Sequence, residues 1–335
     1  MNRYILLAIV GVLLSPLLSA SDASEQQAAI KKLEEAVSKT NIFDLPSFEM
    51  KAAVQIDNGG KPVDGSYRLL WNGPERWREE LSLPGYAELQ VGAKGLVWVQ
   101  RSTDFLPLRI YQLHAALGFG SAAGADAGYF GSLVQLGLAP NDRVKKIHSR
   151  KEHGQKLTCV KTENELKSIS EICVNDNEGT LSRGSSYEDG NFQAIGVKVF
   201  PRFLSYVEKG KAVATVKVNE LSALEQFPPN AFTPPTGVSA EPGCMNPTPY
   251  RRIKSVAPEY PQDARQQHVQ GTVAVDVWIG TDGVPRVRKV VATPSASLGK
   301  SSETAIAGWR YNPAACSGTP VQVETVLRIN YTLSP

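Results

Sequence analysis

The chain has 335 residues, 36 basic and 33 acidic, with 42% hydrophobic residues. That length exceeds the usual single domain, so two domains are expected, each burying its own core. A net charge of +3 gives no electrostatic case for nucleic acid or anionic lipid as a partner.

Met1-Asn-Arg3 precedes an apolar run from Tyr4 to Leu18, broken by Pro16 and ending in Ser19-Ala20. Charged, apolar and small-residue regions in that order predict a signal peptide over residues 1–20, cleaved near Ala20 or Ala23. The alternative is an uncleaved inner-membrane anchor, but a bilayer core needs ~20 apolar residues and this run is shorter. Export would place Cys159, Cys173, Cys244 and Cys316 in an oxidising compartment. There an even count without Cys-x-x-Cys favours disulfides over metal. Of the three pairings, Cys159 with Cys173 and Cys244 with Cys316 keeps each bridge inside one expected domain. The first closes a loop of about 15 residues, worth roughly 3 kcal/mol in the chain-entropy treatment.

Ser24 to Thr40 predicts an amphipathic helix, with Ala29, Ile30, Leu33, Ala36 and Val37 at three- and four-residue spacing. Its shallow, alanine-rich side suits packing on a sheet better than lying on a membrane. From Phe48 to about Leu224 the period changes to two. The short runs are 49–56, 65–71, 76–83, 87–91, 95–100, 155–161, 169–174 and 212–221, bounded by turns such as Asp57-Asn-Gly-Gly60 and Pro84-Gly85. Consecutive strands without intervening helices predict a curved antiparallel sheet. The glycine- and alanine-rich stretch 113–138 interrupts it with one or two helices or a flap.

The leading helix, Val63-Asp-Gly-Ser-Tyr-Arg-Leu-Leu-Trp-Asn-Gly-Pro-Glu-Arg-Trp-Arg78 and Gly92-Ala-Lys-Gly-Leu-Val-Trp98 resemble the periplasmic lipoprotein carriers typified by LolA. The resemblance covers about residues 25–235. It implies an unclosed half-barrel lidded by helices, which would hold a lipid or lipoprotein acyl chain. Leu69, Trp71, Trp77, Leu81, Leu89, Val97 and Val99 would then line an apolar ligand wall. Plain core packing explains the same residues. The expected domain spans 24–235, closed by Phe227-Pro-Pro-Asn-Ala-Phe-Thr-Pro-Pro235, and 236–249 reads as a linker.

Residues 250–335 read as a second, smaller domain. Pro261 opens a short helix to His268. Thr272 to Ile279 alternates with Val273, Val275, Val277 and Ile279 on one face, and Asp282-Gly283 makes a hairpin turn to Val284–Ala292. Leu298, Ser302, Ala305 and Trp309 share a helical face. In the last run Val321, Val323, Leu327, Ile329 and Tyr331 are expected inward, and Gln322, Glu324, Arg328 and Asn330 outward. A three-stranded sheet with two helices follows, and the whole chain is α+β.

Tyr260-Pro261 with Ala264-Arg265, Gln270-Gly271-Thr-Val-x-Val, Asp282-Gly283-x-Pro, Trp309-Arg-Tyr311-x-Pro313 and Gly318-x-Pro-Val321 are similar, in order and spacing, to the C-terminal domain of the TonB family. The resemblance covers about residues 244–335. It implies docking of a receptor segment by strand addition along the last strand, at Gln322, Glu324, Val326, Arg328 and Asn330. Trp309 and Tyr311 read as core anchors rather than contacts. The family's long Pro-rich spacer is absent, so a membrane-anchored energy transducer is the alternative, not the leading expectation.

No catalytic constellation stands out. His148 and His153 converge poorly for a metal, Gly118–Gly124 lacks the lysine of a phosphate loop, and Gly-x-Ser-x-Gly is missing. Glu79-Glu80 and Glu188-Asp189 read as solvated charge. The expectation is a periplasmic, cofactor-free binding or adaptor protein. Its partner would be an outer-membrane transporter-type protein; a lipid or lipoprotein carrier is a further alternative.

Overall fold

The computed structural model describes residues 20–117, 143–152, 154–163, 169–182, 186–243, 247–248, 250–316 and 318–333. The expected signal peptide, His153, Cys244 and most of stretch 113–138 lie outside the described residues.

Helix α1 (Ala20–Thr40) buries Ala29, Leu33 and Ala36, the stripe its spacing predicts. The Thr40 hydroxyl bonds back to the Ala36 carbonyl at 2.8 Å. The Asn41 side chain then accepts from Phe43 N–H to start a short 3-10 turn at Ile42–Asp44. Five strands follow: β1 (Phe48–Asn58), β2 (Lys61–Trp71), β3 (Arg76–Leu83), β4 (Tyr86–Ala93) and β5 (Leu96–Arg101). After α2 (Leu108–Leu117) come β6 (Arg143–Glu152), β7 (Gln155–Glu163), β8 (Ile169–Asn175) and β9 (Leu181–Ser182). Three long strands complete this part: β10 (Tyr187–Ile195), β11 (Lys198–Glu208) and β12 (Lys211–Ala223).

Together with β13 (Ala240–Pro242), these give one nine-stranded antiparallel sheet in the order β10-β11-β12-β1-β2-β3-β4-β5-β13. The end strands β10 and β13 do not pair, so the sheet is open, as the predicted half-barrel requires. Register decides the inner face. Phe48, Met50 and Ala52 stand opposite Trp71, Leu69 and Tyr67, which stand in turn opposite Trp77, Glu79 and Leu81. Helix α2 lies on this face and buries Ile110, Leu113, Ala116 and Leu117 in the same cluster. Gly92 leaves room for the Trp77 indole, since a Cβ there would sit 2.1 Å from its Nε1.

Of the expected apolar wall, Leu69, Trp71, Trp77, Leu81 and Val97 are buried in this cluster and Val99 packs at its margin. Leu89 departs from the expectation. The period of two turns it to the outer face opposite Glu80, while Glu88 and Gln90 point inward and are buried. The inner wall is therefore part polar.

Strands β6 to β9 form a separate four-stranded sheet in chain order. Cys159 and Cys173 stand directly opposite across β7 and β8 and are disulfide-bonded, as expected. Leu33 and Ala36 of α1 pack on Val174 and Leu181 of this sheet.

The C-terminal part contains β14 (Pro247–Thr248), β15 (Arg251–Lys254), α3 (Gln262–Gln266), β16 (Gly271–Ile279), β17 (Pro285–Ala292) and α4 (Ala296–Ala307). It ends with β18 (Arg310–Asn312), β19 (Ala314–Cys316), β20 (Thr319–Val321) and β21 (Val323–Tyr331). The main sheet is β17-β16-β21, with α4 started by the Ser295 side chain accepting from Leu298 N–H. One face buries Val273, Val275, Val277, Ile279 and Leu298 as predicted. Trp309 and Tyr311 are in the same core, and the Trp309 Nε1–H donates to the Val256 carbonyl at 2.8 Å. At the hairpin, Gly283 adopts φ 71°, and a Cβ would meet the Tyr311 carbonyl at 1.9 Å. Within the expected linker, β13 pairs with β5 and β14 with β19. Cys316 is disulfide-bonded, and its expected partner Cys244 lies outside the described residues.

Candidate functional site at the contact between the two parts

The second face of the C-terminal sheet was expected to meet solvent. It is covered in part: Ala274, Asp276, Glu324 and Val326 are buried, while Trp278, Gln322, Arg328 and Asn330 are exposed. Ala274 of β16 and Val326 of β21 belong to the same buried cluster as α2 and the half-barrel wall. The Leu106 N–H donates to the Asp276 carboxylate at 3.2 Å, and Lys289 lies 3.8 Å from the centre of the Phe105 ring. Glu324 corrects its outward expectation: it is buried, because this face rests on the end of β5.

Charged groups of alternating sign run through this contact. Inside the half-barrel, His114 of α2 stands with Nδ1 3.3 Å from Glu79 and Nε2 3.0 Å from Glu88. Glu88 also accepts from the Tyr86 hydroxyl and the Gln90 amide, and lies 3.0 Å from Arg101 Nε. Arg101 Nη2 crosses to Glu324 at 2.7 Å. Glu324 binds Arg288, whose guanidinium lies 3.7 Å from Asp276 and stacks 4.5 Å over the Trp278 ring. Glu79, Glu88, His114, Asp276 and Glu324 are all buried.

Their pKa values follow from this order. Burial opposes charge on His114, but Glu88 and Glu79 outweigh it and hold its pKa up at about 10. Burial would likewise raise Glu88, yet His114 and Arg101 hold it far below the usual carboxylate range. Glu79 is pushed up by burial, which His114 only partly offsets. Asp276 rises to about 6, through burial first and then the charge of Glu324, against the Leu106 N–H and Arg288.

This chain works as a clamp. A buried ion pair adds little net stability, but removing one partner strands the other and typically costs ~3–5 kcal/mol. Beside the clamp opens a cleft of about 400 Å³, lined by Val99, Arg101, Trp278, Arg288, Gln322 and Glu324.

The expected docking residues divide accordingly. Glu324 and Val326 are buried in the contact, and Arg328 binds Glu208 of β11. Asn330 accepts from the Thr272 hydroxyl at 2.6 Å, and Gln322 lines the cleft. Among the motif residues, Ala264 is buried, the Tyr260 hydroxyl donates to the Val269 carbonyl, and Arg265 lies over the Tyr260 ring. The reading of Glu79 as solvated charge is corrected, since alternation along β3 turns it inward.

Among the described residues, one trio with ligand-type atoms converges, His148, Cys159 and Glu171. The Cys159 sulfur is committed to the disulfide, leaving two candidates, fewer than a structural zinc site uses. Among the described residues no helix is long and apolar enough to cross a membrane.

Residues 256–333 match the model of the Gram-negative bacterial TonB protein C-terminal family. Protein TonB of Vibrio cholerae is 28% identical over 79 residues, covering 23% of this chain and 32% of that protein. The chain thus spans about a third of that relative's length. The solution structure of the Pseudomonas aeruginosa TonB C-terminal domain is 22% identical, with a TM-score of 0.23, and covers 26% of this chain and 88% of that one. A LolA superfamily protein from Nitrosomonas europaea is 16% identical, with a TM-score of 0.37, and covers 61% of this chain and 97% of that one. Residues 256–333 thus match the TonB C-terminal family model, and they are joined to an open antiparallel sheet.

Proposed function

We propose that the protein is an exported cell-envelope adaptor that binds rather than catalyses. Its C-terminal domain docks an extended segment of a partner along the outer edge of β21, and the N-terminal part holds that domain in one orientation. The position of β21 supports this most: it ends its sheet and, among the described residues, pairs there with β16 alone. Its side chains Glu324 and Arg328 are engaged by Arg101 and Glu208. Strand addition uses backbone groups, which an end strand keeps available when its side chains are occupied. A periplasmic location is in keeping with the TonB C-terminal match and with the disulfide. The partner class is the periplasmic segment of an outer-membrane transporter.

A second reading, carriage of an acyl chain in the half-barrel, draws support from the open sheet. Ile110 and Leu113 of α2 fill that hollow, and Glu79, Glu88 and His114 make it part polar, which favours the scaffold role.

The test uses the full exported chain and synthetic periplasmic segments of outer-membrane transporters. Proline at those positions between Gln322 and Asn330 whose N–H points away from β16 should abolish retention, while proline at exposed Val197 should not. Retention that survives the edge prolines would sink the docking reading. Saturable binding of a fluorescent fatty acid, competed by lipid, would favour carriage.

A further inference from the structure

A larger cleft, of about 840 Å³, lies between the four-stranded sheet and the β10–β11 end of the large sheet. None of its lining residues belongs to the C-terminal part. Its volume falls within the ~300–1,000 Å³ usual for small-molecule sites.

The cleft is apolar at its base. Leu157 and Leu181 are buried there, beside Val199 and Phe192. Phe203 also lines it and is 40% exposed, a large apolar side chain left open to solvent. The cause is local. Phe203 stands opposite Gly190 across β10 and β11, and nothing lies within 4 Å of the position a Gly190 Cβ would take. The ring therefore lacks the cross-strand neighbour that would normally cover it.

Carboxylates stand around this base. Glu152 is paired with Arg150, and Asp189 has a partner of its own. Glu178 and Glu188 form no ion pair among the described residues. Lys39 is the one cation in the lining among the described residues, and its ammonium donates to the Glu178 carbonyl rather than to a carboxylate. An exposed aromatic ring in one cleft with carboxylates that have no ion pair among the described residues, the Glu178 carboxylate accepting only from the Thr180 hydroxyl, suits one ligand chemistry: a positive charge on an apolar body. The carboxylates attract the charge, and the ring face adds a cation–π contact.

We propose that this cleft is a binding site for organic cations with an aromatic or alkyl body, either a small amphiphile or a Lys- or Arg-flanked apolar side chain of a peptide. The site is independent of docking at β21.

Isothermal titration of the full exported protein with phenylbutylammonium, neutral phenylbutanol and the amide of Lys-Phe-Lys tests this. The cations should bind saturably at one site, and the alcohol about tenfold or more weaker. Glu188→Gln and Phe203→Ser should each weaken the cations several-fold while leaving the thermal midpoint within a few degrees of the parent, since both side chains are exposed. Tighter binding of the tripeptide points to a protein segment as the source, and tighter binding of the amine to a small amphiphile; both support the site. Equal binding of amine and alcohol, no saturable binding, or binding unchanged in both variants would overturn it.

Discussion

Arg101 and Glu324 lie 223 positions apart in the chain, yet their side chains meet at 2.7 Å, each 8% exposed. Arg101 ends β5 of the large sheet; Glu324 lies near the start of β21, the last strand of the C-terminal part. Their pairing fixes how the two parts meet.

Breaking this pair from one side should cost more than removing it whole. Arg101→Met or Glu324→Leu alone should destabilise by ~3–5 kcal/mol, and the double substitution by clearly less than the sum. A denaturant-unfolding double-mutant cycle measures the coupling. Additive effects would show that the pair does not act as a clamp.

His114 should make stability depend on alkaline pH. Its folded pKa of about 10 lies above its ordinary 6.5, so its contribution is fully present below pH 6.5 and is lost as pH rises through 10. Stability should therefore fall between those limits, by at most ~1.4 kcal/mol per pH unit. His114→Gln should remove that slope while lowering stability at pH 6. An unchanged slope in chemical denaturation at several pH values would contradict the charged imidazole.

Asp276 should act with the same sign in an acidic window. Its folded pKa of about 6 exceeds its ordinary 3.8, so the folded protein holds a proton there that the unfolded chain has released. Stability contributed by this group falls as pH rises from 3.8 to 6. Asp276→Asn keeps the acceptor for the Leu106 N–H and removes the charge facing Glu324. It should flatten that part of the profile and raise the thermal midpoint at pH 7.

Replacing Cys159 and Cys173 together with alanine should loosen the four-stranded sheet by about 3 kcal/mol. Hydrogen exchange should quicken in β6 to β8 and α1, which pack together, and not in β16 or β21. Equal loss of protection in both regions would mean that the chain unfolds as one unit.

The strands, the helix α1, the C-terminal domain and one disulfide were legible in the sequence because each rests on local signals. Period-two alternation located β1 to β5, three- and four-residue spacing located α1, and the turn at Asp282-Gly283 fixed the hairpin. Such patterns say which residues share a face. They do not say what covers it, and that is where Glu324, Glu79 and Leu89 were misjudged.

What the sequence determined by itself was the TonB-like motif order of the last domain and the antiparallel character of the first, since both follow from short-range order. Only the tertiary structure decided that Ala274, Asp276, Glu324 and Val326 on the second face of the C-terminal sheet are buried, that α2 fills the half-barrel, and that His114, Arg101 and Glu324 join in one line of charge. The physical reason is range. A buried charge is tolerated only beside its partner, and here the partners come from strands and helices separated by much of the chain.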